Sequence, residues 1–357
     1  MTVLVDWERA QRVALKVASR HPQPEHGTIG SAEFESVTCV GEDRVEATTG
    51  LRSLQGRAQV QVIGRADWIR ANIASLRSLL DPVMGNWADA AHHGRSARVS
   101  AVTAQVAGVE IGLMLGWMSA RVLGQYDLLY GEADGSSDEG AVYLVGPNML
   151  ALEHKFGFPP DEFRLWVTLH ELTHRAQFTG VPWMREHFLG LLHGTLSLAE
   201  PDPARIVGAV RDAMRDRNAA KQRLRDGGIV AMVATPQQQA MFAKTAGLMS
   251  LLEGHGDVVM DRAGTDLIPS AERFSRVLRE RRRRASPVAR LVQRLIGLEG
   301  KLNQYAAGER FIAEIESVGG ERAVDVCWEG PENLPTLDEI RSPRLWLDRV
   351  GGERSVA

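Results

Sequence analysis

The segment LHELTHRAQF, at residues 169–178, carries the most informative motif of the chain. The residues before it, FPPDE at 158–162, place proline and acids where a helix begins, and Gly180 predicts where that helix ends. His170 and His174 are four residues apart, so on a helix their imidazoles project from one face and can reach one metal ion. The stretch therefore predicts a helix built around a metal site.

Glu171 lies next to His170 and indicates which reaction the predicted metal site would catalyse. Zinc binds neutral imidazole nitrogens, polarises a carbonyl and holds a water molecule whose proton a nearby carboxylate can take. One position round the helix, Glu171 is placed to contact that water rather than the metal. We therefore predict a zinc-dependent hydrolase, a metallopeptidase or amidase with a peptide or amide substrate, in which Glu171 activates the zinc-bound water. Other divalent ions also suit two imidazoles and a carboxylate.

The third metal ligand has to come from elsewhere, because a catalytic zinc site uses three protein ligands and leaves one position open. The longer pattern HExxHxxGxxH would need glycine at Gln177 and histidine at Gly180, so it supplies no ligand here. The segment SLLEGHGD at 250–257 offers Glu253 as the predicted third ligand, with His255 as the alternative. Apolar residues flank this segment, and a buried carboxylate needs a partner such as a metal ion.

Four further side chains are candidates for supporting roles. Asp257, four residues after Glu253 and on the same helical face, is predicted to accept the outward N–H of a ligand imidazole. Tyr305 is a candidate to donate a hydrogen bond to the oxyanion, and otherwise a packing residue; His255 has the same candidate role if it is not a ligand. Asn148 either binds substrate backbone or serves as a turn residue.

The composition is that of an ordinary globular protein and narrows the function classes. Of 357 residues, 44% are hydrophobic and 24% charged, with a formal net charge of -3, so nothing points to nucleic acid or an anionic membrane as a partner. Two cysteines in a chain of this length, Cys39 and Cys327, indicate a reducing compartment. The N-terminus has no signal-peptide pattern and no apolar stretch is long enough to span a bilayer, so we expect a cytoplasmic protein.

Helical periodicity dominates the chain, and the best strand candidate is AVYLV at 141–145. We predict a mainly α fold with minor β content, in which a helical region at 1–130 packs on a metal-binding catalytic region at 131–357. From 99 to 123, small residues at near-helical intervals predict a buried helix that closely approaches another. Residues 31–47 are ambiguous. Further predicted helices cover 5–19, 67–84, 236–262, 271–284, 300–316 and 336–340, and another opens at 286.

Several segments together resemble one known family. HELTHRAQF with LLEGHGDVVMD downstream, VLGQYDLL at 122–129, VGPNML at 145–150, KLNQYAAGERF at 301–311 and ENLPTLDEI at 332–340 are similar to actinobacterial zincin-like metallopeptidases and hydrolases associated with coenzyme F420 biosynthesis. The resemblance implies a minimal gluzincin-like core with a small sheet. In such a core an edge strand aligns an extended substrate above the metal helix, a role that AVYLV is expected to fill.

Two other functions remain open at this point. The same fold can serve as a non-catalytic binding or scaffold protein associated with coenzyme F420 metabolism, or as an enzyme of that metabolism. The second would need a basic pocket for a phosphate-bearing ligand, and the chain has no Gly-rich phosphate loop. Glu171 favours the hydrolase, because a purely structural zinc is closed by a fourth protein ligand and needs no base. The sequence indicates neither the natural substrate nor the oligomeric state.

Overall fold

The structure, a computed structural model, describes residues 5–22, 28–90, 97–129, 140–197, 235–283 and 298–354, with side chains except at 83–90, 97–101, 197, 281–283, 298–306 and 352–354. The chain forms two compact units: Met1–Gly180 with Val259–Leu278, and Val181–Val258 with Arg279–Ala357. Helices dominate the described ranges, which also hold one three-stranded sheet. The predicted mainly α class with minor β content is therefore confirmed.

Twelve α-helices and three strands lie within the described ranges, together with short 3-10 helices at Ser31–Phe34, Ala323–Trp328 and Pro331–Asn333. In chain order they are α1 (Trp7–Ala18), α2 (Glu35–Thr49), β1 (Val60–Ile63), α3 (Arg65–Ala90), α4 (Ala97–Ser119), β2 (Gly124–Asp127), β3 (Ala141–Val145), α5 (Gly146–Phe156), α6 (Pro160–Thr179), α7 (Met184–Ser197), α8 (Pro236–Ala263), α9 (Ala271–Arg283), α10 (Leu298–Gly319), α11 (Leu337–Arg341) and α12 (Pro343–Arg354).

The sheet of the first unit has the strand order β1-β3-β2, with β1 parallel and β2 antiparallel to β3. AVYLV is thus confirmed as a strand, but its expected place at the edge is wrong, because β3 is the central strand. All five of its residues are buried, which explains its continuous apolar run. The edge strand that packs against α6 is β2. Its four residues, GQYD, form too short and too polar a run to be predicted as a strand from the sequence.

Helix α6 is fixed in the first unit by apolar packing and by ion pairs. Phe163 and Trp166 are buried, and their rings contact that of Phe274 at centroid distances of 5.3 and 5.8 Å. Arg164 donates to both carboxylate oxygens of Glu153, at 3.0 and 3.2 Å. The helix begins at Pro160 and is followed by Gly180, as predicted. These contacts hold the metal-site stretch in a well-packed interior.

Helix α4 confirms the predicted close approach of two helices. A Cβ at Gly108 or Gly112 would collide with α1 or the residue that caps it, so both glycines allow the backbones to touch. The prediction of a buried helix holds for only part of its surface, since Ala104 and Leu115 are buried whereas Val102, Val106 and Leu113 are more than half exposed. No helix in the described ranges is both long and apolar enough to cross a bilayer.

The second unit contains a similar crossing, between α8 and α10. A Cβ at Gly254 would meet the backbone of Gly308, and a Cβ at Gly308 would meet the carbonyl of Ser250. Phe311 of α10 packs edge-on against the buried ring of Trp346, at 5.5 Å. The helix predicted over 236–262 is confirmed, because α8 runs through Gly254 without a break, and the missing side chain of that glycine allows the close helix contact.

Several elements escape prediction from sequence for identifiable reasons. Helix α5 begins at Gly146 and Pro147, which were expected only to stop the preceding strand; proline is also favoured in the first helical turn. The ambiguous residues 31–47 form a 3-10 turn followed by α2. The helix predicted to open at 286 lies outside the described residues. The proposed division at residue 130 stays a prediction.

Candidate metal centre

His170 and His174 point the same nitrogen atoms at one another from successive turns of α6. Their Nε2 atoms are 3.1 Å apart and their rings are nearly perpendicular, with centroids 4.5 Å apart at 82°. Two imidazole nitrogens bound to one zinc ion at ~2.0–2.1 Å can be at most about 4.2 Å apart. The pair therefore fits a shared metal ion, as the spacing in the sequence predicted.

The other ring nitrogen of His174 is held by a residue that the sequence had not assigned. His174 Nδ1 lies 2.9 Å from Gln177 Oε1, and Gln177 is fully buried. Nδ1 donates to this amide oxygen, which leaves the Nε2 lone pair facing His170. The available signal was the spacing, since a residue three positions after a helical ligand shares its face.

Glu253, the predicted third ligand, lies on α8 within the second unit and is half-buried. Two imidazoles and one carboxylate would form a donor set that suits zinc and leaves a coordination position for chemistry. The role of Glu253 as the third ligand stays a prediction.

The other residues predicted near the site have different outcomes. His255 is buried and packs edge-on against Trp328, with ring centroids 5.0 Å apart, and its alternative roles as metal ligand or oxyanion donor stay predictions. Asp257 lies on α8 one turn after Glu253, as expected, and its predicted hydrogen bond to a ligand imidazole stays a prediction. Tyr305 lies on α10, but its side chain is outside the described residues.

Glu171 is buried and lies beneath the first residue of the edge strand. A Cβ placed on Gly124 would be 2.6 Å from the Glu171 Cγ and 2.7 Å from its Oε1. The carboxylate of Glu171 therefore fills space that only a glycine at position 124 leaves open. The side chain of Glu171, the predicted base, is therefore confined next to Gly124, the first residue of β2. Glu171 directly follows His170 in the helix.

Strand β2 is held on its other face by polar contacts with α3. The side-chain amides of Gln125 and Asn72 exchange two hydrogen bonds of 3.2 Å. The Ser75 hydroxyl lies 3.0 and 3.1 Å from the two carboxylate oxygens of Asp127, which also accepts the Leu129 N–H. Burial raises the pKa of Asp127. Gly124 and Tyr126 alternate with these residues, and the Tyr126 ring stacks on Phe178 of α6 at 5.9 Å.

The opposite side of α6 carries a structural charge network. Arg175 is buried and donates to Glu42 at 2.9 Å and to the Gly56 carbonyl at 2.9 Å. Burial lowers the pKa of Arg175, and the neighbouring carboxylate of Glu42 opposes that shift. A cavity of about 210 Å³ lies here, between α2, the 51–57 loop and α6. Among the charged side chains that line it, Glu42 accepts hydrogen bonds from both Arg175 and Arg57, and these bonds support the helix.

Asn148 has a structural role, so the alternative of substrate binding is wrong. Its side chain is buried and donates to the carbonyls of Ser119 and Val122, both at 2.7 Å. Its amide oxygen accepts from Arg65 Nε at 2.8 Å. With these three bonds its amide is engaged on the inside of the fold, joining α5 to the end of α4.

Comparisons with known proteins show which family the sequence and the fold resemble. A family model described as zincin-like metallopeptidase matches residues 5–347. Among solved structures, a provisionally assigned hydrolase with a novel fold from Chloroflexus aurantiacus is similar, with a TM-score of 0.69 and 31% sequence identity. The similarity covers 98% of this chain and 99% of that chain. No curated protein sequence matches significantly.

Proposed function

The chain belongs to the zincin-like metallopeptidase family, and on that premise we propose that it is a zinc-dependent hydrolase of peptide or amide bonds. His170, His174 and Glu253 hold the metal, and Glu171 is the general base. The observation that carries the proposal is the pair of imidazoles whose Nε2 atoms face one another at 3.1 Å, on a helix where the buried Glu171 lies between the two histidines in sequence.

Each group in the proposal has a distinct task. When bound, zinc polarises a carbonyl and makes a water molecule more acidic. Glu171 takes the proton of the attacking water and passes it to the leaving amine, and its confinement against Gly124 keeps the carboxylate at one position. Tyr305 and His255 are the candidate donors to the oxyanion, and Asp257 the candidate acceptor for a ligand imidazole.

Strand β2 is the proposed guide for an extended substrate. It forms an edge of the sheet in the described residues, and its first residue, Gly124, lies on Glu171. An edge strand presents unpaired backbone groups that an extended peptide can pair with. The hydrogen bonds of Gln125 and Asp127 to α3 would keep this strand in place while a peptide binds.

A non-catalytic scaffold or an enzyme connected with coenzyme F420 rests on resemblance in sequence alone. Neither of these two functions requires a carboxylate at position 171 between two histidines. The hydrolase is favoured because Glu171 lies between two histidines whose imidazoles face each other at 3.1 Å, where a carboxylate is suited to act as a base.

The decisive experiment is the conversion of Glu171 to glutamine in the zinc-loaded protein. Hydrolysis of a mixed library of quenched fluorescent peptides and simple amides is measured alongside zinc content. We expect the rate to fall by ~10²–10⁴-fold, the usual contribution of general acid–base catalysis, with zinc content unchanged. Glu186→Gln, at an exposed position on α7, is the matched control and should keep the wild-type rate. Full activity of Glu171→Gln, or loss of its zinc, would contradict the assigned role.

A further inference from the structure

We propose that Gln177 is a positioning residue for the metal site, acting through His174, and that its neutral amide sets how tightly the site holds zinc. The inference rests on the proposed metal site and adds a residue to it. In the longer histidine motif this position is glycine, which has no side chain to reach the imidazole. The chain has therefore placed a hydrogen-bonding group three residues after its second histidine.

The hydrogen bond selects one tautomer of His174. A neutral imidazole has one N–H and one lone pair, on different nitrogens. The 2.9 Å contact between Nδ1 and the Gln177 carbonyl holds the proton on Nδ1. The lone pair is then on Nε2, which faces Nε2 of His170 at 3.1 Å. His174 is therefore ready to bind a metal before the metal arrives.

The burial of Gln177 makes this arrangement stable. Its side chain is fully buried, so its amide has to be hydrogen-bonded, and α6 fixes its distance to His174. The first unit packs firmly around this turn through the buried Leu172 and Ala176. Gln177 thus orients the ring as well as choosing the tautomer.

Gln177, the hydrogen-bond partner of His174, is neutral, whereas a carboxylate at position 177 would carry a negative charge. A carboxylate would make His174 a more basic ligand and add a negative charge near the ion. The amide does neither, so the metal is held less tightly and keeps more of its Lewis acidity. The structure therefore implies that a carboxylate at position 177 tightens zinc binding.

The test measures zinc affinity, by competition with a chromophoric chelator, in variants of the full chain. Gln177→Met keeps the length of the side chain but removes the acceptor, and should weaken zinc binding by ~10–100-fold, the range for lost outer partners of metal ligands. Gln177→Glu restores an acceptor of the same shape and should bind zinc at least as tightly as the wild type. Thr168→Val, at a buried hydroxyl bonded to a carbonyl of its own helix, should not change the affinity.

A second readout separates this inference from the proposed function. Nitrogen-15 NMR of the metal-free protein should show His174 protonated on Nδ1, and a mixture of tautomers in Gln177→Met. Equal weakening by Met and Glu, or wild-type affinity of Gln177→Met, would overturn the role of Gln177. Failure of the wild type to bind zinc would remove the proposed metal site, while the NMR result would still decide whether Gln177 fixes the tautomer.

Discussion

The helix that carries the two histidines and the helix that carries Glu253 are positioned by different means. On α6 the proposed ligands His170 and His174, the proposed base Glu171 and the partner Gln177 all lie within eight consecutive residues, so helical geometry alone arranges them. On α8 a single proposed ligand, Glu253, stands beside Gly254, whose backbone touches Gly308 of α10. Local spacing therefore positions the proposed residues of α6, and tertiary packing within the second unit positions Glu253.

This difference predicts which property a substitution on each helix will change. A change on α6 acts on a ligand or its direct partner and should alter metal binding or catalysis with little loss of fold. A change at the α8–α10 crossing should alter the stability of the second unit first and the metal affinity as a consequence. Four substitutions test this contrast, in order of decreasing expected effect.

The largest effect is expected for His174→Ala. It removes one of three metal ligands, so zinc affinity should fall by well over the ~10–100-fold seen for outer partners of ligands. The matched control is His154→Ala, at an exposed histidine on α5. Isothermal titration with zinc should show a lost site in the first variant and an intact one in the second. Retention of tight binding in His174→Ala would show that α6 does not supply two ligands.

A smaller loss, confined to catalysis, is expected for Gly124→Ala. The new Cβ would overlap the Glu171 carboxylate, at 2.6–2.8 Å from its atoms, and must push it aside. A displacement of about 1 Å in a catalytic group can cost up to ~10²-fold in rate. Zinc content should stay at the wild-type value, since no ligand is touched. A variant with full kcat would mean that Glu171 needs no such confinement.

The α8–α10 crossing is tested by Gly254→Ala. Its Cβ would collide with the backbone of Gly308, and such overpacking costs about 1–3 kcal/mol. The control is Gly190→Ala on α7, where a Cβ meets nothing within 4 Å and alanine should add about 0.5–1 kcal/mol. Chemical denaturation of the metal-free proteins gives both values. Equal stability of the two variants would remove the contrast between α6 and α8.

The smallest effect is expected at Asp127, which anchors the edge strand. Burial raises the pKa of Asp127 in the folded state, so the folded protein holds this proton more tightly than the unfolded chain does. Its contribution to stability is therefore greatest below the ordinary pKa and is lost as the pH rises through the raised value. Asp127→Asn removes this titration. The stability of the variant relative to the wild type should rise with pH across that window, and a flat difference would contradict it.

The contrast between α6 and α8 also explains how far the sequence could predict the molecule. The facing imidazoles of His170 and His174 could be predicted because a helix brings positions i and i+4 together whatever surrounds it. Glu253 could be proposed as a ligand, but the reason for Gly254 could not, because its contact partner lies 54 residues away at Gly308. In the sequence, long-range packing of this kind is visible only as a glycine, and glycines also occur in loops.

The edge strand shows a second limit of the sequence. Hydrophobic runs identify buried strands, so β3 was found, while β2 was missed because its residues owe their conformation to partners on α3, α6 and β3. Gln177 was missed for a related reason. A polar residue on a helix is normally exposed, and only the structure shows that this one is buried against His174.

The most direct test is the zinc content and affinity of Glu253→Gln, with Asp261→Asn, at an exposed position on the same helix, as its control. We predict about one zinc per chain in the wild type and in Asp261→Asn, as for a three-ligand site, and loss of zinc from Glu253→Gln. If Glu253→Gln kept one zinc at wild-type affinity, the ligand set would be wrong. Loss of the metal in His255→Ala instead would then give the third position to His255.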